Sequence, residues 1–257
     1  MNKKITIITC TYNSWKYLKQ CLESILSQKV KSDDYEHIII DGNSTDNTDD
    51  IIKDYIHNSS CKNIQYIKKK PKWVYNAMNE GIKIANWSYI CFVNSDDFFE
   101  SWALAHFFKN IEKYKNIDVF HGDLQFINGI NSYSTNTAKL YKLRFFLANL
   151  WFHCLLLFPS MLIKRSVFDL LWLFDETKTV SSDFGFWLKI FKNNLRIKFI
   201  PEVIANFRIH QESISSWKYQ ELWKQEMKQF RTEYLWFQWK IINWISSCIN
   251  LVTWKYM

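Results

Sequence analysis

Residues 4–41 read KITIITCTYNSWKYLKQCLESILSQKVKSDDYEHIIID, and this stretch decides the fold class. The β-branched run Lys4–Cys10 predicts a buried strand, and a helix from about Trp15 to Gln28 follows a polar turn. Tyr35–Ile40 predicts the next strand. A strand, a helix and a strand in this order favour parallel pairing in an α/β sheet.

The alternation of strands and helices continues along the chain. The further predicted elements are a helix near Thr48–Tyr55, a strand at Ile64–Ile67, a helix at Tyr75–Ala85, a strand at Tyr89–Val93, a helix near Trp102–Tyr114, a strand near Asp118–Leu124, a turn at Asn128-Gly129, a strand around Met161–Ile163, a helix from about Ser182, and strands at Ile197–Ile200 and Val203–Ile209. We therefore predict an α/β fold over residues 1–216, with a mainly parallel central sheet flanked by helices.

The composition limits the binding partners and the cellular compartment that we expect for the protein. Lys and Arg outnumber Asp and Glu by 33 to 25, and the net charge of +8 favours phosphates, nucleic acid or anionic lipid as partners. The six cysteines are scattered without paired spacing, which predicts neither a disulfide framework nor a zinc site. The apolar stretch at the N-terminus is too short for a secretory signal. We expect a cytoplasmic protein.

Polar residues follow three of the predicted strands directly. They are Thr11 and Tyr12 after the first strand, Asp41 to Asp46 after the second, and Asn94 to Asp97 after the fourth. Each group alone is more often a solvated turn or a helix cap. Ligands of a parallel sheet gather beyond the carboxyl ends of its strands, so the joint placement favours one binding site.

Seven segments resemble glycosyltransferase family 2, whose fold is called GT-A. The segments that resemble its nucleotide-binding half are ITIITCTYNS (5–14), IIIDGNSTDNT (38–48), VYNAMNEGI (74–82) and CFVNSDDF (91–98). Those that resemble its acceptor half, as found in bacterial polysaccharide and O-antigen enzymes of the colanic-acid type, are PSMLIKRSVF (159–168), VSSDFGFWLKI (180–190) and ANFRIHQESIS (205–215). The specificity of the resemblance lies in the order of all seven segments, which span roughly residues 3–216.

The resemblance implies a site for a nucleotide-sugar donor. Thr11, Tyr12 and Asp41 match positions that hold the base and the ribose, while Lys72 and Asn79 match positions near the sugar-diphosphate. An aromatic face can stack on a base, and a carboxylate can accept a hydrogen bond from it. The donor nucleotide stays open among UDP-, GDP- and dTDP-sugars.

The resemblance also implies a divalent cation, Mn²⁺ or Mg²⁺. Asn94-Ser95-Asp96-Asp97 matches the DxD element of the family, with Asn94 in place of the first acid. In that element Asp96 and Asp97 would meet the metal and the ribose, and hard oxygen ligands suit Mg²⁺ and Mn²⁺. His210 lies in a segment that reaches the pyrophosphate or the metal in similar proteins, although a lone histidine is as often a packing residue.

Asp183 matches the catalytic carboxylate of the family. It would act as the base in a direct displacement with inversion and without a covalent intermediate. The alternative is that Asp183 only caps the helix that follows it. Asp123 matches an acidic position that shapes the acceptor cleft, and His121 and His153 are interpreted as structural.

Three other functions are alternatives. A sugar nucleotidyltransferase usually carries a glycine-rich, basic loop after its first strand, and Cys10–Ser14 contains neither glycine nor a basic residue. A non-catalytic nucleotide-sugar-binding or scaffold protein stays open, although the presence of Asp96, Asp97 and Asp183 together argues against it. Nucleic acid is not an expected partner, because Lys68–Lys70 is the only compact basic run.

Residues 217–257 are predicted to form an amphipathic helical tail that holds six of the thirteen tryptophans. The apolar stretch Leu235–Trp254 is interrupted by polar residues, which disfavours a transmembrane helix. We expect the tail to lie on the inner face of the cell membrane, beside a glycan acceptor that is lipid-linked. The alternative is that its aromatic residues pack on the catalytic domain or on a second subunit of a homo-oligomer.

Overall fold

The computed structural model describes residues 4–70, 72–128, 131–134, 158–213, 217–230 and 232–233. The strands are β1 (Ile5–Thr11), β2 (Tyr35–Asp41), β3 (Ile64–Lys68), β4 (Tyr89–Phe92), β5 (Phe98–Phe99), β6 (Val119–Asn128), β7 (Asn131–Ser134), β8 (Met161–Lys164) and β9 (Ile197–Arg208). The helices are α1 (Trp15–Leu26), α2 (Thr48–Asn58), α3 (Val74–Ile84), α4 (Ala103–Lys113), α5 (Arg165–Leu171), α6 (Ser182–Lys192) and α7 (residues 220–230).

One half of the sheet is parallel throughout, as predicted. Its strands lie in the order β3-β2-β1-β4, and each neighbouring pair is parallel. The register places Thr11 beside Asp41 at the ends of β1 and β2, and the backbone N–H of Gly42 donates to the carbonyl of Thr11 at 2.8 Å. The polar residues that follow these strands therefore share one edge of the sheet.

The other half of the sheet is mixed, so the prediction of a mainly parallel sheet is wrong there. β8 joins β4 in antiparallel pairing, and the order continues through β6 and β9 to β5. Among the described strands of this half, only β6 and β9 pair in parallel. β7 pairs antiparallel with the end of β6, with Asn128 opposite Asn131, and Gly129 of the predicted turn lies outside the described residues. Side chains alternate with the same period in either strand direction, so the sequence pattern did not distinguish the two.

β9 is a single strand where the sequence predicted two. The predicted break near Pro201 is an irregularity in the register with β6, where pairing shifts between His121 and Leu124. A Cβ at Gly122 would lie 2.2 Å from the side chain of Ile204, so glycine permits the close approach of the two strands at this point. The strand continues past the irregularity and delivers Arg208 to the edge that carries the strand-end loops.

Helices cover both faces of the sheet. Successive residues of β1 enter different hydrophobic clusters, in which Ile8 packs with α3 and α6 while Ile7 packs with α1 and α4. Phe107 and Phe186 are among the largest fully buried side chains on the two faces. Burial of a large apolar side chain contributes about 1.5–3 kcal/mol, so the two clusters hold the strand ends in place.

The sequence did not predict β5 or α5, whereas α7 lies within the predicted helical tail of residues 217–257. α7 packs on α6 through Met227 and Phe230, which contact Phe184 and Leu188. This part of the predicted tail is therefore packed on the domain, while Leu235–Trp254 lies outside the described residues. None of the helices in the described ranges combines the length and the apolar character needed to cross a bilayer.

Candidate functional site

Hydrogen bonds join the loops that follow β1, β2 and β4. The backbone N–H of Asn13 donates to the Ser44 hydroxyl at 2.8 Å, and that of Ser14 donates to the Thr48 hydroxyl at 2.9 Å. The hydroxyls of Ser14 and Ser95 lie 2.9 Å apart and share a further bond. The three predicted groups of polar residues thus form one continuous rim at the carboxyl edge of the parallel strands.

Asp41 is fully buried beneath this rim. Its carboxylate accepts hydrogen bonds from the backbone N–H and the hydroxyl of Ser44 and from the Tyr66 hydroxyl at 3.2 Å. The ammonium of Lys68 lies 4.0 Å from the same carboxylate. Asp41 therefore fixes the shape of the loop after β2, and its predicted contact with a base or ribose remains a prediction.

Thr11 and Tyr12 lie beside Asp41. The Thr11 hydroxyl is buried without a hydrogen-bond partner among the described residues. The Tyr12 side chain is 63% exposed and packs against Gly42, where a Cβ would lie 3.0 Å from Cδ2 of the ring. Gly42 thus lets the Tyr12 ring rest on the backbone, and this leaves an exposed aromatic surface next to an unused hydroxyl.

The two acidic residues after β4 have different surroundings. Asp97 is buried, and its carboxylate accepts from Asn94 Nδ2 and from the backbone N–H of Arg208, each at 2.9 Å. Burial and the neighbouring Asp96 carboxylate raise the pKa of Asp97 well above its usual range. The Asp96 carboxylate is partly exposed, and its Oδ2 lies 3.0 Å from Nε2 of His210.

Arg208 joins the end of β9 to this acidic pair, although sequence reasoning did not select it. Its Nε donates to the carbonyl of Asp96 at 3.1 Å and its Nη2 to Gln20 Oε1 at 2.6 Å. The guanidinium lies 4.6 Å from the centre of the Tyr17 ring, and that ring lies 4.9 Å from the ring of His210. The signal available in the sequence was the position of Arg208 two residues before His210.

The pair Asp96 and His210 supplies a carboxylate oxygen and an imidazole nitrogen. A carboxylate suits Mn²⁺ and Mg²⁺, and imidazole is a frequent metal ligand in proteins. Within the ranges that the structure describes, there is no group of three or more His, Cys, Asp or Glu side chains that could hold a metal ion. The pair supplies two ligand atoms, so a cation held here would need further ligands from a diphosphate or water.

Asp183 lies in the first turn of α6, which begins after the cap residue Ser181, so Asp183 is not the N-cap of that helix. The Tyr75 hydroxyl donates to its Oδ1 at 3.1 Å and the backbone N–H of Phe184 at 2.8 Å. Burial raises the pKa of Asp183 to about 6. Because Tyr75 lies in the first turn of α3, just after β3, Asp183 sits near the same edge of the sheet as the strand-end loops.

The structure gives Asn79 an internal role. Its Nδ2 donates to the carbonyl of Phe174 at 3.0 Å and to Glu176 Oε1 at 2.9 Å, and its Oδ1 accepts from the backbone N–H of Phe174. Both amide hydrogens are thus engaged, and a contact with a sugar-diphosphate would break one of these bonds. Lys72 is exposed, and its backbone N–H donates to Asn76 Oδ1 at 3.3 Å.

Comparison with known proteins adds independent findings. The family model described as glycosyl transferase family 2 matches residues 6–171. A dolichyl N-acetyl-alpha-D-glucosaminyl phosphate 3-beta-D-2,3-diacetamido-2,3-dideoxy-beta-D-glucuronosyltransferase from Methanococcus voltae is 31% identical over 216 residues, which cover 79% of this chain and 66% of that protein. The chain therefore spans about two thirds of the length of this curated relative.

Two solved structures show a similar fold. TarS 1–349 from S. aureus in complex with UDP-GlcNAc matches with a TM-score of 0.70 and 21% identity, over 85% of this chain and 64% of that chain. A mannosyltransferase from Pyrobaculum calidifontis in complex with GDP-Man and Mn²⁺ matches with a TM-score of 0.64 and 15% identity, over 85% of this chain and 60% of that chain. At these identities the likeness concerns the fold.

Proposed function

The chain belongs to glycosyl transferase family 2, and from this premise we propose that it moves a sugar from a nucleoside-diphosphate sugar to a glycan acceptor with inversion at the anomeric carbon. One observation carries this proposal: an exposed aromatic ring, a carboxylate–imidazole pair and a carboxylate with a raised pKa lie at the same edge of the sheet. These are Tyr12, Asp96 with His210, and Asp183.

Donor binding is assigned to the rim. Tyr12 offers a ring on which a nucleobase stacks, and the unused Thr11 hydroxyl is free to bond the base or ribose. Asp41 stands directly behind them and shapes the loop. Two solved structures of similar fold contain UDP-GlcNAc and GDP-Man, which supports a nucleoside-diphosphate sugar as the donor. We propose a UDP-, GDP- or dTDP-sugar.

Asp96 and His210 would hold a divalent cation, Mn²⁺ or Mg²⁺, which neutralises negative charge on the departing nucleoside diphosphate when bound. We assign Asp97 a supporting role, because its buried carboxylate accepts two internal hydrogen bonds and fixes Arg208. Arg208 in turn holds the backbone of Asp96 and the ring of Tyr17. We propose this orienting role in place of the direct metal contact that the sequence suggests for Asp97.

Asp183 acts as the base that takes the proton from the acceptor hydroxyl as that oxygen attacks the anomeric carbon. A pKa of about 6 leaves the carboxylate ionised at pH 7 yet basic enough to accept the proton. The Tyr75 hydroxyl holds one carboxylate oxygen, which leaves the other for the acceptor. A positioned base of this kind accelerates transfer by roughly 10²–10⁴-fold.

The acceptor is a glycan of cell-surface polysaccharide biosynthesis, carried on a lipid. The Methanococcus voltae relative is named for transfer to a dolichyl phosphate sugar, and the net charge of +8 would favour an anionic membrane surface. O-antigen synthesis and a peripheral position on the inner face of the cell membrane are part of this proposal.

The proposal is tested by incubating the protein with UDP-, GDP- and dTDP-sugars and Mn²⁺ and measuring released nucleoside diphosphate. One nucleotide class should be turned over, and release should increase when a matching acceptor is added. Donor binding by calorimetry without any turnover would favour the non-catalytic binding protein instead. Asp183→Asn serves as the control for contaminating activity.

A further inference from the structure

A second buried carboxylate lies behind the loop that leads to Asp183. Glu226, on α7, is only 5% exposed. Its Oε1 accepts from the backbone N–H of Thr179 at 2.7 Å, and its Oε2 accepts from the backbone N–H of Val180 at 3.0 Å and from the Ser181 hydroxyl at 2.8 Å. One side chain thus bonds three consecutive residues.

These bonds act on the start of α6. Ser181 is the N-cap residue of α6, and Asp183 follows two residues later in the first turn. A buried carboxylate needs hydrogen-bond donors to offset the loss of water, and here all three donors are neutral groups of the same loop. The loop and Glu226 therefore depend on one another for their conformation.

α7 is held against α6 by apolar contacts of residues that follow Glu226 in the chain. Met227 and Phe230 pack with Phe184 and Leu188. A Cβ at Gly185 would lie 2.3 Å from the Phe230 ring, so the helices meet at a point where only glycine fits. This close packing makes the position of Glu226 relative to α6 well defined.

The same helix also contacts the beginning of the loop. Lys178 Nζ donates to Gln229 Oε1 at 2.6 Å, and the ammonium lies 5.5 Å from the centre of the Phe230 ring. Residues 178–181 are therefore bonded to α7 at each end. No other described helix bonds these four residues through as many side-chain hydrogen bonds.

We propose that Glu226 is a positioning residue for the catalytic base: it sets the conformation of residues 179–181, and thereby the direction in which Asp183 presents its free carboxylate oxygen to the acceptor hydroxyl. This inference rests on the proposed function and deepens it. It assigns to the segment beyond residue 216, expected to serve as a membrane tail, a part in the geometry of catalysis. Misplacement of a reacting group by about 1 Å can cost on the order of 10²-fold in rate, so such a device has a measurable effect.

Among the described residues, the groups that face the Asp183 carboxylate come from three elements. They are the Tyr75 hydroxyl on α3, the backbone N–H of Phe184 on α6, and the charge of Glu226 on α7. The nearby negative charge of Glu226 adds to burial in raising the pKa of Asp183. Loss of that charge should therefore shift the acidic limb of the pH profile of transfer toward lower pH.

The first experiment compares Glu226→Ala and Glu226→Gln with Glu221→Ala, a control on the same helix whose side chain is 78% exposed. Glu226→Ala should lower kcat for transfer on the order of tenfold or more, while the Kd for nucleoside diphosphate stays within about twofold. Glu226→Gln keeps the length of the side chain and one acceptor oxygen, so it should fold normally and show a smaller loss. Glu221→Ala should match wild type in both measurements. Equal losses in kcat and in donor affinity would overturn the inference.

The second experiment is a double-mutant cycle with Asp183→Asn. If Glu226 acts through Asp183, Glu226→Ala should change the residual transfer of Asp183→Asn by less than about twofold. A further loss of the same size as in wild type would show that Glu226 acts independently of the base, and would overturn the inference. If the wild-type protein released no nucleoside diphosphate, the proposed function itself would be overturned. That result is distinct from the results that overturn the inference about Glu226, because those compare variants with an active wild-type protein.

Discussion

The parallel half of the sheet, β3-β2-β1-β4, and the mixed half, β8-β6-β9-β5, build their parts of the site in different ways. In the parallel half, Tyr12 and Asp41 stand at the ends of adjacent strands, and loops close in sequence hold them. Arg208, at the end of β9 in the mixed half, bonds Asp96 and Asp97, which follow β4 of the parallel half, across more than a hundred residues. Tyr75 on α3 bonds Asp183 on α6 across 108 residues. We infer that the parallel half sets which donor is held, and that packing between distant segments sets how the reaction proceeds.

The largest effect should come from Asp183, which contacts between distant segments hold in place. Asp183→Asn keeps the size of the side chain but removes the base, so transfer should fall by roughly 10²-fold or more. Donor affinity, measured by calorimetry, should stay close to that of wild type because the base acts only on the acceptor proton. If transfer remained within a few fold of wild type, the base would lie elsewhere. The inference that contacts between distant segments control the reaction would then be wrong.

The next prediction separates the two acids after β4. Asp96→Asn should raise the Kd for donor in Mn²⁺ on the order of tenfold or more, because a diphosphate beside a site with a weakened cation is held poorly. Asp97→Asn should have a smaller effect on that Kd, since the buried side chain keeps an oxygen for the Arg208 N–H. Calorimetry with and without Mn²⁺ provides the measurement. Equal losses in the two variants would place Asp97 among the metal ligands.

The pH dependence should report the burial of Asp183. Transfer should decline about tenfold per pH unit below pH about 6, as the carboxylate takes up a proton and ceases to act as a base.

Protonation of Asp183 should lower activity but raise stability against unfolding. The folded pKa of about 6 lies above the ordinary value, so the folded state binds this proton more tightly than the unfolded state does. The penalty for burying the charge is present above pH about 6 and disappears as the pH falls toward about 4. Asp183→Asn should therefore unfold at a higher denaturant concentration than wild type at pH 8, and at the same concentration at pH 4.

The smallest effect should come from the parallel half. Tyr12→Ala removes the exposed ring and should weaken binding of the nucleoside diphosphate by about 0.5–1.5 kcal/mol, several-fold in Kd, without changing kcat at saturating donor. The ring is exposed, so unfolding by denaturant should change little. A loss in kcat with unchanged donor affinity would show that this half also controls the chemical step.

Sequence reasoning located most of the parallel half. The predicted strands and helices from Lys4 to Val93 agree with the structure to within a few residues, because each carries a clear periodicity and is bounded by polar turns. In the mixed half it missed β5, which has only two residues, and α5, whose seven residues are too few to show a helical period. For α7 it left open whether the apolar face of the tail meets a membrane or packs on the domain, since such a face looks the same in either case.

The sequence by itself determined the α/β class, the family and the identity of the polar residues at the ends of β1, β2 and β4, because these depend on local periodicity and on order along the chain. Only the tertiary structure decided that Asp97 is buried while Asp96 faces His210, that both amide hydrogens of Asn79 are engaged by Phe174 and Glu176, and that Glu226 bonds the loop before Asp183. Each of those arrangements joins groups far apart in the chain. Burial and hydrogen-bond partners of that kind arise from packing between segments. A local pattern of residues therefore does not predict them.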